Sequence, residues 1–80
     1  MTHEQRIRDF IIKDLRWDGP EEALTEDYPL LDNRVVDSLG LYKIVTMLEN
    51  DFGIEVEDQE LVPDNFGTIA KIASFVGSKL

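Results

Sequence analysis

The sequence predicts an all-α fold, a small bundle of three main helices in a single domain, residues 1–80. Three observations favour it. Apolar residues recur at helical spacing in three segments, residues 3–16, 38–52 and 68–79. The one short β-like run, "IEV", is too short to pair as a strand. The chain has 80 residues and no cysteine, so helix packing rather than disulfide bonds must supply its stability.

The first predicted helix follows Thr2, which with Gln5 fits a capping box. Basic residues Lys13 and Arg16 lie in the last predicted turn, where the helix dipole favours positive charge. Gly19-Pro20 then ends any helical pattern. The apolar positions that define the helix are Ile7, Phe10, Ile11 and Leu15.

The connection between the first two helices, residues 17–37, is long enough to be either functional or disordered. Its composition favours order, because six apolar residues are spread along it. We therefore expect an ordered loop that crosses the bundle and fixes the position of Ser38. The six residues are Leu24, Tyr28, Leu30, Leu31, Val35 and Val36.

The second predicted helix has a core face and an outer face. A helical wheel places Leu41, Ile44, Val45, Leu48 and Phe52 within one arc of about 100°, and Gly53 is the expected C-cap. Leu39 points away from that arc, with Asn50 also on the outer side. One exposed leucine needs no explanation, but an exposed leucine beside an exposed hydroxyl suggests docking. The candidate docking residues are Leu39, Tyr42, Lys43, Thr46 and Met47.

The last predicted helix starts after Thr68, a natural N-cap. Its apolar face comprises Ile69, Ile72, Ala73 and Val76. Between the second and last helices, Ile54, Val56 and Leu61 can anchor the chain, and residues 58–61 can form one short helical turn.

The charge is −9, from 8 basic and 17 acidic residues, and the acids are concentrated in residues 18–64. Such a chain repels phosphate backbones, so nucleic-acid binding is not expected. The acidic region would attract basic protein surfaces, or it serves only to keep a small domain in solution. No apolar run reaches the roughly 20 residues of a membrane span, and the N-terminus lacks a signal-peptide core. We expect a cytoplasmic monomer without membrane association.

The sequence offers no catalytic partner for Ser38. The only histidine is His3, and the G-x-S-x-G motif of hydrolases is absent. A calcium loop starting at Glu49 fails because Gly53 falls at position 5 instead of 6. No catalytic or metal-ligating residue is therefore assigned. Asp37 fits as the N-cap, which makes Ser38 the first helical residue, where an attached phosphate would be favoured. Taken alone, the local pattern favours a simple capping pair.

The segment "LLDNRVVDSLGLYKIVTMLENDFGIEV" resembles the phosphopantetheine attachment region of acyl and peptidyl carrier proteins, and "FGTIAKIASFV" fits the last helix of that family. The motif "VVDSLG" is most similar to that of free-standing carriers loaded by adenylating enzymes. The resemblance implies that Ser38 accepts 4′-phosphopantetheine covalently from coenzyme A, with Asp37 beside it as the helix cap and Leu39 in partner docking. It also implies that the arm carries an acyl or aminoacyl thioester.

The partners implied by the resemblance are a phosphopantetheinyl transferase, an adenylating or acyl-loading ligase, and downstream synthase, condensing or tailoring enzymes, as in natural product biosynthesis. The alternative is a small acidic helical interaction module that is never modified. It would hold a partner through the same outer face of the second helix.

Overall fold

A computed structural model of the chain describes residues 2–15, 17–32 and 36–80. The regular secondary structure within these residues consists of helices alone, with no strand, which confirms the predicted all-α fold class. Four α-helices follow one another as α1 (His3–Asp14), α2 (Ser38–Phe52), α3 (Pro63–Phe66) and α4 (Ile69–Lys79), with 3-10 turns at Glu21–Ala23 and Asp58–Glu60.

The N-terminal capping box of α1 forms as predicted. The Gln5 N–H donates to Thr2 Oγ1 at 3.1 Å, and the Thr2 N–H donates to Gln5 Oε1 at 3.3 Å. The helix ends at Asp14, two residues earlier than predicted, because Leu15 leaves helical geometry with φ −97° and ψ 3°. The predicted last residue, Arg16, lies outside the described residues.

Helix α2 has the predicted boundaries. Gly53 ends it in the left-handed conformation, with φ 69°, and donates its N–H to the Glu49 carbonyl. Glycine adopts this conformation without the steric cost that a Cβ imposes. Ile44 and Leu48 are fully buried, whereas the other three predicted core residues, Leu41, Val45 and Phe52, are half-buried against the same core.

Helix α4 begins one residue after its cap, since the Thr68 hydroxyl accepts the Lys71 N–H at 3.1 Å. The short helix α3 was not predicted. It starts with Pro63 as its first residue, where the missing N–H costs nothing. It buries Phe66, which is 1% exposed and packs against Phe75 of α4. The predicted turn near 58–61 is confirmed as the 3-10 turn Asp58–Glu60.

The described part of the first connection is ordered, as expected, and contains an unpredicted 3-10 turn, Glu21–Ala23. The Arg8 side chain holds it to α1 by donating to the carbonyls of Leu24 at 3.1 Å and Glu21 at 2.5 Å. Its far end is joined to the α3–α4 corner, where the Leu30 N–H donates to the Gly67 carbonyl. Val35, one of the predicted anchors, lies outside the described residues.

The core lies where all of these segments meet. It contains no buried polar side chain among the residues described, so apolar contact dominates it. None of the helices in the described ranges is long and apolar enough to cross a membrane. The buried residues are Ile7, Ile11, Leu24, Leu30, Val36, Ile44, Met47, Leu48, Ile54, Phe66, Ile69, Ile72, Phe75 and Val76.

Candidate functional site

The first turn of α2 is held by Asp37. Its carboxylate Oδ1 accepts the Gly40 N–H at 2.7 Å, and its carbonyl accepts the Leu41 N–H at 2.8 Å. Asp37 itself is extended, with φ −93° and ψ −171°, as an N-cap requires. Ser38 is therefore the first helical residue, as the sequence predicts.

Ser38 is exposed, and its hydroxyl has no hydrogen-bond partner in the part of the chain that the structure describes. The N–H groups at the start of a helix have no intrahelical acceptor. The Asp37 carboxylate accepts that of Gly40, which leaves the N–H groups of Ser38 and Leu39 as the remaining donors of this turn. An anion attached to Ser38 would therefore meet two free donors and the positive end of the helix dipole.

No histidine is near the Ser38 hydroxyl. The His3 ring packs edge-on against Phe52, with ring centroids 5.0 Å apart. Phe52 is the last of the 15 residues of α2, so it lies roughly 20 Å from the helix start. A serine nucleophile needs a base within hydrogen-bond reach, and His3 does not supply one.

The outer face of α2 beside Ser38 is apolar and open. The side chains of Leu39 and Tyr42 are each 65% exposed, and Lys43 and Thr46 are exposed as well. The Thr46 hydroxyl is engaged, since it donates to the Tyr42 carbonyl at 3.0 Å.

Met47, predicted as a docking residue at the edge of the core arc, is mostly covered. It is only 5% exposed and belongs to the core cluster. On the wheel Met47 sits at the edge of the core arc, and packing against α1 covers that edge. Met47 therefore forms the floor of a groove instead of part of the exposed face.

Two grooves flank the exposed face of α2. The first, between α1 and α2, has a volume of about 730 Å³ and includes Phe10, Leu39 and Met47 in its lining. The second, about 620 Å³, lies between α2 and the segment 56–61 and reaches Ser38 itself. Its apolar lining comprises Leu41, Tyr42, Val45, Val56 and Leu61.

The sequence reasoning missed two features of this site. One is the second groove, because Val56 and Leu61 were assigned only as anchors of a connection. The other is Gly40, which is buried where α1 meets the start of α2. A Cβ on Gly40 would lie 3.3 Å from Asp37 Oδ1 and 3.6 Å from Leu15. The sequence did contain a signal for Gly40, because a glycine in the first turn of a helix lowers helix stability and therefore suggests a packing requirement.

Glu49 and Asp58 are the acidic residues that line the second groove, and Glu60 lies next to it in the chain. Glu49 accepts the Val56 N–H at 3.1 Å, which ties α2 to the following segment. The Glu57 N–H and the Lys79 ammonium, 2.9 Å away, together lower the pKa of Glu60 below its ordinary value. No group of three or more His, Asp or Glu side chains is placed to hold a metal within residues 2–15, 17–32 and 36–80.

Comparison with known proteins identifies the family. The family model described as the phosphopantetheine attachment site matches residues 5–76 of the chain. The chain belongs to the phosphopantetheine-binding carrier protein family. The cofactor of this family is 4′-phosphopantetheine, attached covalently.

Individual carrier proteins are similar over most of the chain. The acyl carrier protein of Thermotoga maritima is 35% identical over 60 residues, which cover 75% of this chain and 72% of that protein. The solution structure of a holo acyl carrier protein from Nitrosomonas europaea is 30% identical, with a TM-score of 0.79 over 99% of this chain and 96% of that one. KstB-PCP in its apo form is 37% identical, with a TM-score of 0.77 over 98% and 86%.

Proposed function

We propose that this carrier protein holds an acyl or aminoacyl group as a thioester on a 4′-phosphopantetheine arm attached to Ser38, and presents it to the enzymes of a biosynthetic pathway. The observation that carries the proposal is the exposed Ser38 hydroxyl, which has no partner in the described residues and stands at the start of α2. The family match supports the carrier role and the cofactor.

The residues around Ser38 fit an attached phosphodiester. In the attachment step, the Ser38 Oγ forms a bond to the phosphorus that bears the pantetheine arm of coenzyme A. The bond to the adenosine bisphosphate portion breaks, and the hydroxyl proton passes to the transferase. The N–H groups of Ser38 and Leu39 are free to face the resulting anion. The arm then supplies the thiol that the cysteine-free chain lacks.

Ser38 needs only access for this role, because the modifying enzyme supplies the catalysis. We assign no catalytic residue to the chain. Its partners in this proposal are a phosphopantetheinyl transferase, an adenylating or acyl-loading ligase, and downstream synthase, condensing or tailoring enzymes. We further propose that residues 1–80 act as one carrier domain and as a monomer.

The second candidate function is an unmodified interaction module that binds a partner through the outer face of α2. The exposure of Leu39 and Tyr42 favours it, because both side chains would gain from burial. Unlike the carrier proposal, this function assigns no role to the Ser38 hydroxyl.

The two functions are separated by incubating the protein with coenzyme A, magnesium and a broad-specificity phosphopantetheinyl transferase, and measuring the intact mass. The carrier proposal predicts one phosphopantetheinyl group per chain. The group should be lost in Ser38→Ala and retained in Ser74→Ala, a matched control at an exposed serine of α4. Circular dichroism should show all three proteins folded. An unmodified wild-type chain, with a transferase that modifies another carrier in the same tube, would favour the interaction module.

A further inference from the structure

The second groove, which reaches Ser38, is lined by acids and by no base. Glu49 and Asp58 are its charged residues, and its lining contains no lysine, arginine or histidine. Glu49 accepts the Val56 N–H with Oε2 at 3.1 Å, and its other oxygen accepts no hydrogen bond from the described residues. Asp58 is exposed and has no ion-pair partner within the same ranges. The groove therefore presents two carboxylates whose charge is not neutralised by a described side chain.

Glu49 lies at the distance that a loaded arm would reach. From Ser38 to Glu49 the helix rises about 16 Å, at about 1.5 Å per residue. Phosphopantetheine has roughly 13 bonds between its phosphorus and its sulfur, which span about 15 Å in an extended chain. The carbonyl carbon of the cargo and the carbon after it add about 3 Å. A substituent on that second carbon therefore arrives at the level of the Glu49 carboxylate.

The classes of cargo differ in what they would bring to this position. A long fatty acyl chain would continue past the two carboxylates and take them out of water, which is costly. A cargo that ends in a carboxylate would bring a like charge close to them. An α-aminoacyl group instead carries an ammonium ion on the carbon next to the thioester, and an α-amino group is protonated below a pKa of about 8. Only the aminoacyl class gives the two carboxylates an opposite charge.

We propose that the cargo is an α-aminoacyl group, whose ammonium ion is held by Glu49 and Asp58 while the arm lies in the second groove. This inference rests on the proposed function, which leaves acyl and aminoacyl cargo open. The amino acid's own side chain would meet the half-buried apolar residues of the groove, Val45, Val56 and Leu61. The groove thus selects by charge at its far end and accepts apolar surface along its length.

The ammonium contact is tested by titrating the amine of the attached cargo. The transferase loads an alanyl group from a coenzyme A analogue in which nitrogen replaces the sulfur, so that the bond survives the titration. An isotope label in the alanyl group reports its protonation by NMR. Because carboxylates favour the charged amine, its pKa should lie about 0.5–1 above that of the free analogue. Added salt should reduce the difference.

Variants of the groove assign the contact to its residues. Glu49→Gln and Asp58→Asn should each remove part of the increase in the amine pKa. Glu55→Gln is the matched control, because Glu55 is an exposed acid outside the groove lining and the variant makes the same change in net charge. It should keep the increase, as should Tyr42→Phe at the other titratable residue of the lining. Circular dichroism should show all four variants folded.

A neutral cargo of the same shape separates charge from shape. Isobutyryl has a methyl group where alanyl has its ammonium ion. The Val56 N–H donates to Glu49, so its NMR resonance reports on that carboxylate. Alanyl loading should move this resonance more than isobutyryl loading does, and the difference should disappear in Glu49→Gln, which retains an acceptor for the Val56 N–H.

The outcomes separate this inference from the proposed function. If Ser38 takes up no group from any of the coenzyme A compounds, the proposed function fails. If the groups are attached but the alanyl pKa equals that of the free analogue, or the increase survives Glu49→Gln and Asp58→Asn together, the aminoacyl inference is overturned. It is also overturned if isobutyryl moves the Val56 resonance as much as alanyl does.

Discussion

Asp37 stabilises the helix that carries Ser38, and two substitutions separate its hydrogen bond from its charge. Asp37→Ala removes the acceptor of the 2.7 Å bond from the Gly40 N–H. Loss of an N-cap side chain costs about 0.5–2 kcal/mol, and loss of a negative charge at a helix N-terminus costs a further 0.3–1 kcal/mol, roughly. Because Asp37 is exposed, we expect a total of about 1–2 kcal/mol. Asp37→Asn keeps an acceptor and loses only the charge, so we expect less than about 1 kcal/mol.

Urea unfolding followed by circular dichroism measures both variants. A small domain has an m-value near the low end of about 1–3 kcal/mol per molar urea, so Asp37→Ala should lower the midpoint by about 1–2 M with an unchanged slope. Asp37→Asn should fall between the alanine variant and wild type. Equal losses in the two variants would show that the charge, not the hydrogen bond, is what matters. No loss in Asp37→Ala would show that water replaces the cap and would refute the reasoning.

The remaining predictions concern the core and one carboxyl pair. Leu48→Ala should cost about 2–5 kcal/mol of unfolding free energy, because Leu48 is fully buried. Leu39→Ala should change it by less than about 0.5 kcal/mol because Leu39 is 65% exposed; a large loss there would mean that Leu39 is part of the core. Glu4 raises the pKa of Glu26 above 4.5, first by a hydrogen bond and then by charge repulsion. Folding therefore favours protonated Glu26, a stabilisation present at acid pH and lost as the pH rises through the raised pKa. Glu26→Gln should raise the melting temperature at pH 7 and not at pH 3, and an equal gain at both would contradict this account.

Helical periodicity predicted the long elements because each buries one continuous apolar stripe. Both ends of α2 were predicted correctly, since Asp37 and Gly53 are strong N-cap and C-cap signals. Helix α1 was extended too far at its C-terminus, because Leu15 continues the apolar period although its backbone has already left the helix. Termini are determined by backbone hydrogen bonding, which periodicity alone does not report.

Helical periodicity could not predict the short helix α3 or the first 3-10 turn. Helix α3 has four residues, too few to show a period, and it is stabilised by burial of Phe66 in the core instead of by its own sequence. The 3-10 turn Glu21–Ala23 is held by the distant Arg8 side chain, a contact that no local pattern reveals. The near-complete burial of Met47 was not predicted for a related reason, because a helical wheel gives the direction of a side chain but not which neighbouring element will cover it.

The geometry of the candidate site was more predictable than its surroundings. Asp37 capping and the placement of Ser38 at the first helical position follow from local chemistry, and the structure confirms both. The role of Ser38 as the attachment residue stays a prediction. The two grooves depend on how α1 and the segment 56–61 pack against α2, which is a tertiary property.

The most direct test of the central claim is to locate the modification within the chain. After reaction with coenzyme A and the transferase, the protein is digested and the modified peptide is fragmented by tandem mass spectrometry. The chain has three serines, at positions 38, 74 and 78. The account predicts that the added phosphopantetheine lies on Ser38 alone; finding it on Ser74 or Ser78, or on none of the three, would contradict it.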